Sequence, residues 1–441
     1  MSATPTEIAI DKFDALTISN DDADQDSDYE DDTDGNYIPF RIDGKGVEGS
    51  LYNDIPRYMY RVYTSKISSD ADSNWIMSRD AARNTDDYEV NVYARKDKAA
   101  AAKIINSHFR QTFATTNDSD ARRDNLISWT SSLLSALLYI FHRHTSPADG
   151  SPPLTDIHLC VLDTSSYNEG AFIRAESLIA AFREHSPELQ KLERQRADNP
   201  CHQGEYLSQG RLNIEGACEI ASADKLVGCG LFTLLPELEA LAERWARKGE
   251  PTAPTWDAAL ERLREAWDPD SPSFVDEYEF TAEENEAAMD IGSLFGVYLQ
   301  VPVAAAVTAL RPRRDGGVGF AFRELRIQEE IKDRGYQFGP SKCNSPDSSD
   351  EMPEVKQFST MMTSVFADFF VTEAKEKILD ARLLMEEAAV AMDELHLEAK
   401  HLRKGDVESL FVGRYGEMAT EVGWHNDAIW SRLQDLARIR N

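Results

Sequence analysis

The chain has 441 residues, 41% of them hydrophobic, which is enough for apolar cores in two or three domains and too much for a wholly disordered protein. A formal net charge of −31 argues against nucleic acid or an anionic membrane surface as the main partner, because both repel an acidic face. Five cysteines, odd in number and with no CxxC pair, argue against a disulfide scaffold and against a structural zinc site.

Residues 1–50 are expected to form a disordered acidic tail. Twelve Asp or Glu stand against one Lys in residues 1–35, and so polar a segment cannot bury enough surface to offset its conformational entropy. Such a tail either keeps the chain soluble or engages a basic protein partner, which the sequence does not identify. The segment has neither a basic n-region nor an apolar h-region, so a reducing cytoplasmic or nuclear location is expected.

Residues 51–248 mix strands and helices without a strict βαβ rhythm, which predicts an α+β fold. A strand is expected over 55–65 and a long polar loop over 66–87. A helix follows over 97–114. The run Ser128-Trp129-Thr130-Ser131-Ser132 reads as a hydroxyl-rich turn, with Thr130 or Ser131 as N-cap of the next helix. In that helix Leu133, Leu134, Leu137, Leu138 and Phe141 recur at helical spacing. A buried strand is predicted at 157–162, a helix or helix pair at 174–197, strands at 206–214 and 217–221, and a helix from Leu238.

Residues 249–441 read as an all-α region, entered through Gly249, Pro251 and Pro254. Residues 339–354, rich in Pro, Ser and Asp, are expected to be a flexible insertion. Residues 291–310 carry no charge, and Gly292 and Gly296 form a GxxxG. This is either a buried helix broken near Pro302 or a membrane span, the buried helix being preferred because Gln300 and Pro302 interrupt it. A heptad-patterned helix over 372–404 runs from Ala374 through Ile378, Met385 and Met392 to Leu402, in a bundle or an intermolecular coiled coil.

Candidate chemistry rests on an ordered trio: Arg61 in a strand, the hydroxyls of Ser128, Thr130 and Ser131, and Glu205 preceded by Gln203. A strand arginine can pair a diphosphate, hydroxyls can orient a carboxylate, and a carboxylate can stabilise a developing oxocarbenium ion. Other motifs give no site. Gly316, Gly317 and Gly319 do not make a GxGxxG, no P-loop exists, and His396 and His401 are five apart, so they do not share a helix face. His142 and His144 read as partners of a helix C-terminus, and Cys201 and His202 are a mere neighbouring pair.

The order of these motifs over residues 55–240 resembles that of the ADP-ribosyltransferases. The resemblance implies an ADP-ribosyltransferase-like mixed domain followed by the helical region. It also implies NAD as the bound nucleotide, held by Arg61, Ser128, Thr130 and Ser131, with Glu205 catalytic and Gln203 facing the acceptor. The stretches 127–138, 157–164 and 205–210 are similar to an uncharacterised fungal domain family as well, which implies no activity. Two functions stay open: an NAD-dependent mono-ADP-ribosyltransferase or glycohydrolase, and an inactive binding or scaffold module acting through its helical region and acidic tail.

Overall fold

The computed structural model describes residues 35–41, 55–64, 74–83, 88–110, 123–147, 150–197, 203–247, 254–272, 280–313 and 352–365, with 378–380, 382, 383 and 390 besides. Its centre is an antiparallel sheet. The strands are β1 (Tyr37–Ile38), β2 (Tyr58–Thr64), β3 (Trp75–Met77), β4 (Leu126–Thr130), β5 (Ile157–Asp163), β6 (Ile173–Arg174), β7 (Glu205–Asn213) and β8 (Cys218–Ser222). The order is β1-β7-β4-β2-β5-β8, with β3 and β6 also on β7. Two of these strands lie where none is expected. β3 falls inside the polar stretch 66–87 because Ile76 is a buried apolar residue that pairs with Leu212. β1 falls inside the expected acidic tail, where Tyr37 and Phe40 are buried and Tyr37 opposes Leu212.

β7 is the hub, and it changes partners at Gly210. Gly210 has φ +63°, and a Cβ there would lie 2.1 Å from Ile38 Cδ1 and 2.8 Å from the Tyr88 carbonyl oxygen, so only glycine fits the irregular point.

Alternation along the strands separates two faces. On one face Tyr58, Tyr60, Ile157, Leu159 and Val161 lie under α3 (Leu133–Thr145), α7 (Leu231–Leu234), α8 (Pro236–Ala246), α9 (Trp256–Arg264), α10 (Ala282–Ser293) and α11 (Gly296–Thr308). A further helix, α12, spans 353–365 and adds Phe358, Met361 and Met362 to that cluster. Farther along the same face Leu126 and Leu207 meet α2 (Lys98–Arg110), α4 (Ala175–Phe182) and α5 (Pro187–Ala197). The opposite face carries Met59, Ile127, Trp129, Cys160, Leu162 and Tyr206 against Tyr37, Ile76, Tyr167 and Phe172.

Several expectations shift in detail. The hydroxyl-rich run is strand up to Thr130, and the N-cap of α3 is Ser132, whose Oγ accepts from the Ser135 N–H at 3.1 Å; neither Thr130 nor Ser131 caps it. Trp129 forces the strand, since its ring is buried on the opposite face and its indole N–H donates to Ser208 Oγ at 2.9 Å. Residues 291–310 form not one helix but the end of α10 and the whole of α11. The break lies at Gly296 (φ +68°), while Pro302 sits inside α11. A Cβ on Gly292 would come within 2.5 Å of the Gln300 carbonyl oxygen, so the expected GxxxG serves a tight helical hairpin. Among the described residues no helix is long and apolar enough to cross a membrane. Residues 352–354 are part of the core and not of an insertion: Met352 and Glu354 are buried at the start of α12. Most of the heptad helix expected over 372–404 lies outside the described residues; Ile378 and Leu379 are helical and exposed.

Candidate functional site

The predicted site residues separate by strand register. Ser128 opposes Leu207, and Thr130 opposes both Glu205 on β7 and Tyr60 on β2. Opposed residues share a face, so Ser128, Thr130 and Glu205 stand together on the helix-covered face, between Tyr60 and Leu207 of its two apolar clusters. Arg61, next along from Tyr60, points to the other face. β2 and β4 are bridged only at Tyr60 and Thr130, and beyond that point the Arg61 guanidinium donates through Nη1 to the Ser128 carbonyl oxygen at 2.8 Å. Arg61 therefore ties two diverging strands together from the far side, and it does not share a cleft with Glu205.

Glu205 begins β7 with about a quarter of its side chain exposed (23%). The Ser128 hydroxyl donates to its Oε1 at 2.8 Å, and Arg196 Nη2 on α5 donates to its Oε2 at 2.7 Å. Burial by itself would raise this carboxyl; Arg196, His108 and Ser128 outweigh it and hold it below the usual carboxylate range. Arg196 is itself fixed, with its guanidinium carbon 4.6 Å from the centre of the Phe109 ring and Nη2 3.8 Å from Glu176 Oε1. The remaining predicted residues take other work. Thr130 Oγ1 accepts from the Ser132 N–H at 3.1 Å, and Ser131 N–H donates to the Gly204 carbonyl oxygen at 2.9 Å. Gln203 is exposed on the turn into β7. That turn needs Gly204 (φ +72°), where a Cβ would meet Met352 Cε at 2.3 Å and Ser131 Oγ at 2.4 Å.

His108, Asp124 and Arg196 complete the site, and none is among the predicted residues. His108 follows Ala101 and Ile105 on the buried stripe of α2, and its Nε2 lies 2.8 Å from Ser128 Oγ. Its Nδ1 lies 2.7 Å from Asp124 Oδ1, both side chains being 9% exposed. Asp124 is held just before β4, where Oδ1 also accepts from the Leu126 N–H at 3.2 Å and its carbonyl oxygen accepts from the Asp80 N–H at 3.0 Å. Burial, with Asp124 adding repulsion, pushes the Asp80 carboxyl up against the pull of Arg95 and Arg123.

Aspartate, histidine and serine in contact order invite comparison with a nucleophilic triad, but the protons run the wrong way. A triad serine gives its hydroxyl proton to a neutral imidazole. Here the single Ser128 proton is taken by the ionised Glu205, so Ser128 Oγ can only accept from His108 Nε2–H. In this arrangement His108 does not serve as the base for the hydroxyl. What the arrangement provides is a firmly oriented, partly exposed carboxylate at a strand end. Among the described residues no group of three or more His, Cys, Asp or Glu is placed to hold a metal ion.

Comparison with known proteins adds one match. Residues 54–218 match the model of a domain of unknown function, DUF7587, which takes in β2 to the first residue of β8. No curated protein and no solved structure matches the chain.

Proposed function

We propose that this domain cleaves the nicotinamide–ribose bond of NAD, as a mono-ADP-ribosyltransferase or NAD glycohydrolase, with Glu205 as the working carboxylate. The observation that carries this reading is the 2.8 Å contact from Ser128 Oγ to Glu205 Oε1, which joins two motif residues 77 positions apart. In the scheme, the bond's electron pair leaves with nicotinamide, which departs neutral, and positive charge grows on the ribose. The fixed negative charge of Glu205 stabilises it at no reorganisation cost. The acceptor, water or a protein side chain presented near exposed Gln203, then adds to the ribose carbon and loses its proton. Ser128 orients the carboxylate. Arg61 acts as a clamp on the Ser128 strand in this scheme and not as the diphosphate ligand.

A second reading draws on Arg196. Its 2.7 Å ion pair already neutralises Glu205, which suits an inactive module that keeps the pair for stability. Labelled NAD separates the two. Under the first, the full chain releases nicotinamide and Glu205→Gln slows release by at least about a hundredfold. If wild type and Glu205→Gln are equally inert and NAD gives no thermal shift, the enzyme reading is wrong and the second stands.

A further inference from the structure

The Ser128 hydroxyl has two neighbours able to take its proton, and which one does so decides where Glu205 is held. We propose that the Asp124–His108 pair is a positioning relay: His108, protonated on both ring nitrogens, blocks the serine oxygen on one side and so commits its proton to Glu205. The inference deepens the reading of Glu205 as the working carboxylate and rests on it for its catalytic consequence. Its structural half stands on distances alone. Asp124 carries no proton to offer, so Nδ1–H donates across 2.7 Å; Ser128 is already a donor, so Nε2–H donates across 2.8 Å. The result is a row of contacts through Asp124, His108, Ser128, Glu205 and Arg196, with the neutral hydroxyl at its centre, in which every contact is 2.8 Å or shorter.

Charges of both signs surround the ring. Carboxylates face it from the loop before β4 (Asp124) and from β7 (Glu205), and farther out Glu176 on α4 reaches Arg196 while Asp80, on the short helix Arg79–Ala82, touches the Asp124 backbone. Against them stand Arg196 on α5, Arg110 on its own helix, and Arg95 and Arg123 beside Asp80. If the ring lost its Nε2 proton, that nitrogen would compete with Glu205 for the serine hydroxyl, and the carboxylate would be left to the hold of Arg196.

Nitrogen-15 NMR of the histidine rings in the full chain, with the His108 signals identified by their loss in His108→Gln, reads the relay directly. Both ring N–H groups should be seen at neutral pH, and Asp124→Asn should abolish the Nδ1–H signal first. A neutral His108 with one protonated nitrogen at neutral pH would overturn the proposal, whether or not NAD is cleaved. In the activity arm, His108→Gln keeps a neutral N–H toward Ser128 and His108→Leu does not. His108→Leu should lower kcat by up to about a hundredfold with little change in KM, Gln should recover part of the loss, and adding Ser128→Ala to Leu should cost nothing more. Equal loss in Gln and Leu, or losses that multiply with Ser128→Ala, would reduce His108 to a packing residue. Doubly protonated His108 in a chain that leaves NAD intact would instead refute only the Glu205 reading.

Discussion

At the scale of single residues, the site turns on where one hydroxyl proton goes. Ser128 touches a histidine that touches an aspartate, and an activity-based probe for serine hydrolases tests whether that contact order makes a nucleophile. A fluorophosphonate probe is expected to leave Ser128 unlabelled at neutral pH, because its hydroxyl donates to Glu205 and its oxygen accepts from His108. Stoichiometric labelling, lost in Ser128→Ala, would reverse the proton assignment and with it the role of Glu205. The same residues mark how far the site was legible in the sequence. Ser128 and Glu205 could be paired from motif order, and they do touch. Arg61 belongs to the same contact chain but through the backbone of β4, since the register that sets Tyr60 opposite Thr130 and Arg61 opposite Cys160 turns its side chain to the other face, and no local pattern announces that register. His108 gave no usable signal. It is a polar residue in the last turn of an Ala-rich helix, and only the packing of α2 onto β4 brings it to Ser128.

At the scale of elements, hydrophobic period found the long strands and helices, while short pieces needed their partners. β3 is three residues in a polar stretch, and β7 makes it a strand. The two glycines of the GxxxG looked alike, yet Gly292 permits a close helix crossing and Gly296 supplies a positive φ. Pairing across strands also brings together two thiols that composition alone reads as scattered. Cys160 on β5 and Cys218 on β8 have sulfurs 2.7 Å apart, both as free thiols. Burial, helped by Cys160, pushes the Cys218 thiol well up, so attack through its thiolate is slow at neutral pH. Glutathione disulfide at mildly alkaline pH is therefore expected to join them, each thiol losing a proton and the pair giving two electrons to the oxidant. The cysteines lie 58 positions apart, and closing such a loop stabilises by about 4 kcal/mol at most in the chain-entropy treatment. Intact mass and thermal midpoint check this. A mixed glutathione adduct that persists, with no internal bridge, would show that the strands hold the sulfurs apart.

At the scale of the whole molecule, the family match and the folded core do not share a boundary. The matched residues end at 218, and the proline-marked change in composition falls near 249. Yet the cluster that covers Tyr58, Tyr60, Leu159 and Val161 includes Leu260, Ile291, Phe295, Val303 and Phe358. The C-terminal part also reaches the site's support. Ser132 Oγ, which caps α3, donates to Glu354 Oε1 at 2.7 Å, and Arg264 Nη2 meets the same oxygen at 2.6 Å. Removing everything after 248 would take away the outer layer packed on α3, α7 and α8 and leave their outer sides in water. Each fully buried Leu, Ile or Phe lost from that layer forfeits roughly 1.5–3 kcal/mol, and a few of them exceed the 5–15 kcal/mol by which domains are stable. A fragment of residues 35–248 is therefore expected to bind a hydrophobic dye and to lack a cooperative thermal transition, whereas residues 35–365 should melt in one step. The carboxylate of Glu354 refines the test. Within 35–365, Glu354→Leu leaves Arg264 without its buried partner and should lower the midpoint, while Glu354→Gln, which still accepts from Ser132, should lower it less. A cooperative 35–248 would mean that α9 to α12 dock on a domain already complete, and the composition break near 249 would then be a true domain boundary.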